Sequence, residues 1–600
     1  MTINALFQET VAAHGAKTAL RYKENKQWHD ISYAELNRRV EIIASAFAAL
    51  GVRKGDRVAL LSENRPEWAI TDLAALSLGA IIVPLYPTLP TPQVAFIVRN
   101  AAAKLFVVSD ARQLAKAMAS RHELPELEHI VLIDGETPAD SPDVVTWATL
   151  LERGAAEPLG DRLSDLRKDV LPDDVASLVY TSGTTGDPKG AMLTHRNIVT
   201  NVDYALEHFA RQGEKVDEKD TFLSFLPLSH VFERVPGYYL PLRTGAAIAY
   251  CEGVRTIVDD MASTKPTIMV CVPRVYEAMQ ERILAQVEKL DAGKKAGFRK
   301  ALESGKEYAE AKRRGGMMNP MLAMQHALFE KLVYHDIRER FGGALRFFVS
   351  GGAALNAETA RFFEAIGIPI VEGYGMTETA PVIAINPNRR LKLGTVGICI
   401  PGGEIKIAED GEILYRGPNV MKGYWRNDQA THDMIDSTGW LHTGDVGHLD
   451  EEGYLKITDR KKDLLVLHNG KKVAPQPIES TLKQSPFIEE IVLIGDRQSI
   501  VTALVIPNKG RLTEWAKAEN LSFDGEEELL RRPEVRKKIK QEIDAQSGGL
   551  ADFEKIRKFT ILNTAFTVDS GELTPTLKVK RKVVAQKFAR EIAAMAGESE

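Results

Sequence analysis

Between Tyr180 and Leu193 the chain reads YTSGTTGDPKGAML, with three glycines, five hydroxyl side chains and a lysine in one short run. Gly183 and Gly186 permit backbone angles and close approaches that a Cβ would block. The hydroxyls of Thr181, Ser182, Thr184 and Thr185 place short donors beside exposed backbone N–H groups, and Lys189 adds a positive charge. Such a set suits a polyanion, most naturally a phosphate chain. It is not the GxxxxGK[ST] loop, because Asp187 and Pro188 stand between Gly186 and Lys189. The plainer alternative is a polar turn between a strand and a helix. The density of hydroxyls and the closing lysine count against it.

A second cluster, VEGYGMTETAPV, runs from Val371 to Val382. Tyr374, set between Gly373 and Gly375, suggests an aromatic face left open for stacking a base. Thr377 and Glu378 offer oxygen atoms, and hard oxygen ligands suit Mg²⁺ beside substrate phosphates. A third stretch, GWLHTGDVGHLDEEGYLKITDRKKD, carries Asp445 after a Thr-Gly turn, where it could reach ribose hydroxyls, and Arg460, able to pair with sugar or phosphate oxygens. In isolation that stretch reads as two hairpin turns with surface charges. The fourth, GELTPTLKVKRK, presents Lys578 after a turn-like TPT, and composition alone does not separate it from Lys580, Arg581 or Lys582. His230 follows an apolar strand, where a lone histidine is more often a core or rim residue than a catalyst. The sequence holds no GxSxG, no metal-binding histidine pair and only three scattered cysteines, so hydrolase, zinc and disulfide readings have little support.

These residues need a scaffold, and 600 residues suffice for several domains. Apolar content of 44% and charged content of 26% are those of a globular enzyme, and a formal charge of -5 argues against a nucleic-acid-binding surface. The first residues show no basic start leading into an apolar stretch, and no apolar run is long enough to cross a bilayer. The expected location is cytoplasmic, with peripheral membrane contact compatible. Short apolar stretches such as RVALLSE, IIVPLY, HIVLIDG and TIMVCVP alternate with helical segments, which predicts α/β layers around largely parallel sheets. Ligands in such sheets bind beyond the carboxyl ends of strands, where several of the glycine-rich stretches fall. A charge-rich helical elaboration is expected at about 277–340, and β-like texture from about 390. The expected architecture is a large N-terminal domain, 1–459, of layered α/β subdomains plus a β-rich subdomain, followed by a small mobile α+β domain, 460–600.

Taken together, YTSGTTGDPKG, YGMTET, the TGD at Asp445, DRKKD and the late lysine resemble, in order and approximate spacing, the adenylate-forming superfamily of acyl-CoA synthetases, luciferases and peptide-synthetase adenylation domains. The resemblance covers nearly the whole chain. VPLYPTLPTPQVAFIV, FLPLSHVFERV, FFVSGGAAL and LLVLHNGKKVAPQPIE look most like the long-chain fatty acyl-CoA synthetases. The resemblance implies a two-step reaction: a carboxylate attacks the α-phosphate of ATP to give acyl-adenylate and pyrophosphate, then coenzyme A takes the acyl group and AMP leaves. It implies Lys578 as the catalytic lysine, Mg²⁺ held by Glu378 with Thr181, and a phosphate cradle of Thr181, Ser182, Gly183, Thr184, Thr185, Gly186 and Lys189. It further implies Gly351, Gly352, Glu372, Gly373, Tyr374, Gly375 and Thr377 around the nucleotide, and Asp445 and Arg460 on the ribose. Lys462 matches the hinge, Gly470 the coenzyme A tunnel, and His230 the gate of the acyl pocket. Two positions depart from the common pattern: Leu577 stands where many relatives have glycine, and HNGKK replaces a Gly-Gly pair. The alternatives are a ligase that loads a carrier protein, a coenzyme A ligase for another carboxylic acid, and a nucleotide-binding regulator without chemistry.

Overall fold

The computed structural model describes residues 1–596 except 138–140, 182–186, 254, 316–317, 568–569 and 574–578. The chain divides into two compact units. The first takes Met1–Lys406, Leu414–Thr443 and Leu449–Lys456; the second takes Ile407–Ile413, Gly444–His448 and Ile457–Glu600.

Two sheets organise the first unit. One has seven strands, in the order Val144–Thr146, His129–Leu132, Leu105–Val108, Arg57–Leu61, Ile81–Leu85, Val175–Thr181 and Lys189–Thr194. All its pairings are parallel except the last, which is an antiparallel hairpin. The other has nine strands, with a parallel centre formed by Ala247–Tyr250, Thr221–Ser224, Ile268–Cys271, Phe347–Ser350 and Ile370–Gly375.

The period of two in these strands builds the layers. Val58 and Leu60 face one apolar cluster while Ala59 and Leu61 face another. In the nine-stranded sheet, Phe222, Ile248 and Phe347 join the first of these clusters, and their neighbours Leu223, Ala249 and Phe348 join a third. The shared cluster also holds Val40, Ile43 and Phe47 of the helix Tyr33–Ala49, and Trp68, Ile70 and Leu73 of the helix Pro66–Ser77. These helices therefore pack between the sheets. Ser32 starts the first by accepting from the Glu35 N–H at 3.2 Å. Every residue of Pro66–Ser77 except Glu67 is buried, as a central layer requires.

Residues 273–339 add the helices Pro273–Val287, Ala292–Arg314, Pro320–Phe329, a wider turn at Glu330–Tyr334, and His335–Glu339. A four-stranded sheet runs in the order Glu404–Ile407, Glu412–Arg416, Leu441–Leu449 and Leu455–Arg460. In the second unit, Ile488–Ile494, Val501–Pro507 and Ile556–Ile561 form a three-stranded sheet. Its two faces are covered by separate clusters, Ile491, Leu493 and Val505 on one and Val492, Leu504 and Ile506 on the other.

One ion pair lies inside the central layer. Arg234 and Asp72 are paired with side chains 2% and 0% exposed. The guanidinium also donates to Ser177 Oγ at 2.7 Å and to the Tyr239 hydroxyl at 2.9 Å, while the Tyr239 hydroxyl donates to Asp72 at 2.8 Å. Removing one partner strands a charge in the core, which typically costs about 3–5 kcal/mol, whereas replacing both with apolar groups need not. Arg234→Met should accordingly lower stability by about that amount, measured by urea unfolding, and adding Asp72→Leu should restore part of the loss. A double variant as damaged as the sum of the two singles would contradict this reading.

Candidate active site

The glycine-rich stretch closes a hairpin. Its first strand ends at Thr181, its second begins at Lys189, and the register pairs those two residues. Ser182, Gly183, Thr184, Thr185 and Gly186 lie outside the described residues. The stretch therefore joins two strands rather than a strand and a helix. Along the second strand Ala191 and Leu193 enter the core, while Lys189, at the strand's start on the same face, is exposed. A Cβ on Gly190 would press on the Tyr180 ring at 3.0 Å.

The outer edge of that hairpin takes up the segment Met421–Trp425. Met192 N–H donates to Gly423 O at 2.9 Å, Lys422 N–H to Met192 O at 3.0 Å, and Trp425 N–H to Gly190 O at 2.8 Å. The same segment reaches the second cluster, where Met421 N–H donates to Glu378 O at 2.8 Å. Its Tyr424 joins the two. The hydroxyl donates to Glu378 Oε1 at 2.6 Å, and the Lys189 ammonium lies 5.4 Å from the centre of the ring. Burial first, and then the neighbouring Glu378, raise the Tyr424 pKa well above the usual phenol value, so it remains a donor. One aromatic side chain thus gathers the lysine of one motif and the carboxyl of another. Sequence reasoning missed Tyr424; the available signal was a Gly-Tyr-Trp run in an otherwise polar loop.

Glu378 is buried, on the short helical turn Thr377–Thr379. Asn419 holds this turn from below, its amide donating to Thr379 O at 2.6 Å and Val382 O at 3.0 Å. Tyr374 does not present an open face. It is 9% exposed on the strand Ile370–Gly375, and Gly375 is needed because Pro381 O occupies the place of a Cβ. The glycine serves chain packing rather than ring exposure. Glu372 on the same strand is buried, and loss of water pushes its carboxyl up to about 8.

The parallel strands bring further residues to one sheet edge. Gly351 and Gly352 follow the strand Phe347–Ser350, and Glu372, Gly373, Tyr374 and Gly375 end the next. His230 lies beyond Thr221–Ser224 and caps the helix Val231–Arg234, its Nδ1 accepting from Phe232 N–H at 3.0 Å. A Cβ on Gly351 would approach the Phe232 ring to 2.7 Å, so the His230 segment and the Gly351 turn are in contact. Tyr86 also lies near His230, with ring centres 6.3 Å apart. The buried Arg234–Asp72 pair anchors this segment from behind.

In the second unit, Arg460 Nε pairs with Asp445 Oδ1 at 3.3 Å. Asp445 is buried and Arg460 half-exposed. Gly444 N–H donates to Glu412 Oε1 at 2.9 Å, and Lys461 N–H donates to Gly444 O at 2.8 Å, which fixes the turn before Asp445. Loss of water also lifts the adjacent Asp459 carboxyl to about 7. Lys462 is exposed, and Gly470, with φ +77°, turns the small hairpin between Leu465–Val466 and Lys472–Val473. Lys578 lies outside the described residues. Its flanks are held: Leu573 bridges Val579, Lys580 N–H donates to Glu572 O at 2.7 Å, and Arg581 pairs with the buried Glu479.

Among the described residues, no group of three His, Cys, Asp or Glu side chains could cage a metal. Mg²⁺ takes one or two carboxylates and completes its shell with phosphates and water, and the buried Glu378 carboxyl and the Thr181 hydroxyl are oxygen donors of the type it accepts.

The chain matches the model of the AMP-binding enzyme family over residues 7–425 and that of the AMP-binding enzyme C-terminal domain over residues 462–600. It is 38% identical over 577 residues to the long-chain-fatty-acid–CoA ligase FadD15 of Mycobacterium tuberculosis, covering 95% of this chain and 92% of that protein. With the human long-chain-fatty-acid–CoA ligase 1 it shares 32% over 603 residues, covering 95% and 83%. Among solved structures, the anthranilate CoA ligase AuaEII in complex with anthranoyl-AMP superposes with a TM-score of 0.73 at 22% identity, covering 99% and 98% of the two chains. The adenylation domain of a carboxylate reductase from Mycobacterium chelonae gives 0.75 at 23%, covering 99% and 91%. These two establish the fold.

The buried Glu372 generates a pH dependence. Its folded value lies above the ordinary carboxyl value of 4.5. The neutral form therefore favours folding; this contribution is whole below that ordinary value and is lost as pH rises toward about 8. Glu372→Gln, neutral throughout, should gain stability relative to the parent by a few kcal/mol between about pH 5 and about pH 9. Urea midpoints at the two pH values check this, and a constant difference would contradict it.

Proposed function

The chain belongs to the AMP-binding enzyme family, and from that premise we propose that it is an AMP-forming long-chain fatty acid:CoA ligase. It activates a fatty acid with ATP to acyl-AMP and pyrophosphate, then passes the acyl group to coenzyme A and releases AMP. The observation that carries this reading is kinship with long-chain ligases running through both units, the Lys578 segment included.

The reaction's difficulty is electrostatic: an anionic carboxylate must approach an anionic phosphate, so cations must stand where charge develops. In this reading Lys578 spans the substrate carboxylate and the α-phosphate oxygen, while Lys189 and the Thr181–Gly186 loop hold the β- and γ-phosphates. Glu378 and Thr181 would hold Mg²⁺, which supplies neutralisation of the triphosphate's charge when bound. The Tyr424 hydroxyl keeps the Glu378 carboxyl oriented, and Asn419 keeps its turn rigid. The nucleotide's base lies by Gly351, Gly352, Gly373 and Tyr374, lined further by Glu372, Gly375 and Thr377. Asp445 and Arg460 hold the ribose hydroxyls, and their mutual pairing pre-orients both. His230, fixed by its cap on Phe232, gates the acyl chain. Lys462 is the hinge about which the C-terminal unit turns between half-reactions, and Gly470 lines the path of the pantetheine arm.

Two measurements test the reading. Lys578→Ala should slow fatty-acid-dependent pyrophosphate release by about 100-fold, the loss of one preorganised partner, while thioester formation from supplied acyl-AMP persists. Adenylation left intact in that variant would refute the assignment. A panel of acids from acetate to long-chain and aromatic species, with coenzyme A or a carrier protein as acceptor, should show long-chain acids ahead of acetate by at least about a thousand-fold in kcat/KM, since each buried methylene contributes about 0.8 kcal/mol. A preference for acetate or an aromatic acid, or transfer to the carrier protein alone, would overturn the substrate class or the acceptor.

A further inference from the structure

The residues on either side of Lys578 are tethered, and both tethers are carried by the helix Arg581–Lys587 that follows it. At the far end of this helix Lys587 pairs with Glu572, while the Lys580 N–H donates to Glu572 O at 2.7 Å. The Lys587 side chain is 44% exposed, so water screens that pairing. At the near end Arg581, three residues after Lys578, makes a different kind of contact. Its side chain and that of Glu479, on the helix Pro475–Leu482, are only 15% and 10% exposed. One guanidinium nitrogen donates to Glu479 Oε2 and another to Leu493 O at 3.2 Å. The Leu493 N–H in turn donates to Glu479 Oε1 at 2.7 Å. The pair is thereby locked onto the strand Ile488–Ile494.

Packing alone does not call for charge at this place. An apolar pair would close the core of the unit without taking two ions out of water. What the guanidinium adds is direction: nitrogens bonded to two separate acceptors fix the plane of the group and the chain that carries it. Its wider surroundings point the same way. Burial by itself would lower the Arg581 pKa, yet Glu479, Asp463 and Asp459 together hold it above its usual value. Asp459 stands beside Arg460 on the strand Leu455–Arg460, and Asp463 follows Lys462. One side chain therefore faces carboxyls from the helix Pro475–Leu482 and from both flanks of Arg460 and Lys462, the residues assigned above to the ribose and the hinge.

We infer that Arg581 is a positioning residue for adenylate formation: held by Glu479 and Leu493 O, and faced by Asp459 and Asp463, it sets the direction in which the chain presents Lys578. The inference rests on the proposed role of Lys578 and names the residue through which that role is exercised. Arg581 itself touches no substrate in this reading. A lysine that must reach both a carboxylate and an α-phosphate oxygen needs a fixed approach, and a misplacement of about 1 Å can cost about 100-fold in rate.

The test follows the two half-reactions separately in the full-length protein. The double variant Arg581→Met/Glu479→Gln leaves neither member of the pair as a stranded charge, and its glutamine still accepts from the Leu493 N–H. The inference predicts that it loses at least about 10-fold in kcat for fatty-acid-dependent pyrophosphate release, with KM for ATP unchanged and thioester formation from supplied acyl-AMP intact. Arg581→Lys, which keeps the charge but not the planar fork, should lose a smaller part, and it carries the comparison alone if the double variant fails to fold. Placed in Lys578→Ala, the same substitutions should cost less than about 2-fold more, because nothing is left to position. Adenylation unchanged in the folded variants, or the same loss with and without Lys578, would overturn the inference alone. So would equal losses in both half-reactions, which would mark a general loosening of the C-terminal unit. Adenylation left intact by Lys578→Ala would instead overturn the proposed function, and this inference with it.

Discussion

Burying the Glu378 carboxyl beside a lysine-bearing loop requires a fixed donor in the same place, and the Tyr424 hydroxyl supplies it. A buried carboxyl without a partner would either take up a proton or drag water inward. With one oxygen engaged at 2.6 Å by a phenol that burial keeps protonated, the group holds its position instead. The same ring sits under the Lys189 ammonium. Two residues far apart in sequence, one in each glycine-rich motif, are thereby placed around a single side chain from a third segment. The rest of the first unit can be understood as the support this arrangement needs.

That support comes from layering. Strands with both faces apolar demand helices on each side, and the helix Pro66–Ser77 in the shared layer is buried nearly all round. Such a layer leaves little freedom for the loops at the strand ends, which is where His230, Gly351, Glu372 and Glu378 emerge. The Arg234–Asp72 pair belongs to the same logic. A buried polar network in the central layer ties the short helix behind His230 to Asp72 and Ser177. In the second unit the restraint is lighter: Asp445 and Arg460 hold one another at a partly exposed edge, and the segment after Glu572 is tied at its base through Arg581 and Glu479.

Much of this was legible in the residues. The strands of both sheets were readable because short runs of β-branched and aromatic residues alternate with amphipathic helices, and the charged helical stretch before residue 340 carried its own period. What escaped was set by long-range pairing. Whether the loop led into a helix or a strand depended on the neighbour it found, and the edge of Met421–Trp425 decided it. The open ring suggested by the glycines flanking Tyr374 is not what the strand presents, since that side chain is 9% exposed. Tyr424, Asn419 and Asp72 were invisible, since each is ordinary in its local sequence and acquires meaning only from a partner at least 40 residues away. The grouping of 407–413 and 444–448 with the C-terminal unit was hidden for the same reason.

The account rests on Tyr424 and Glu378 acting as one unit in adenylate formation. A double-mutant cycle in fatty-acid-dependent ATP–pyrophosphate exchange, using Tyr424→Phe, Glu378→Gln and the two combined, addresses that directly. If the hydroxyl works by holding the carboxyl, the combined variant should be little worse than Glu378→Gln alone, with a coupling of about 1.5–3 kcal/mol, the usual strength of a hydrogen bond to a charged group. Losses that simply add would show the two side chains acting independently and contradict the account.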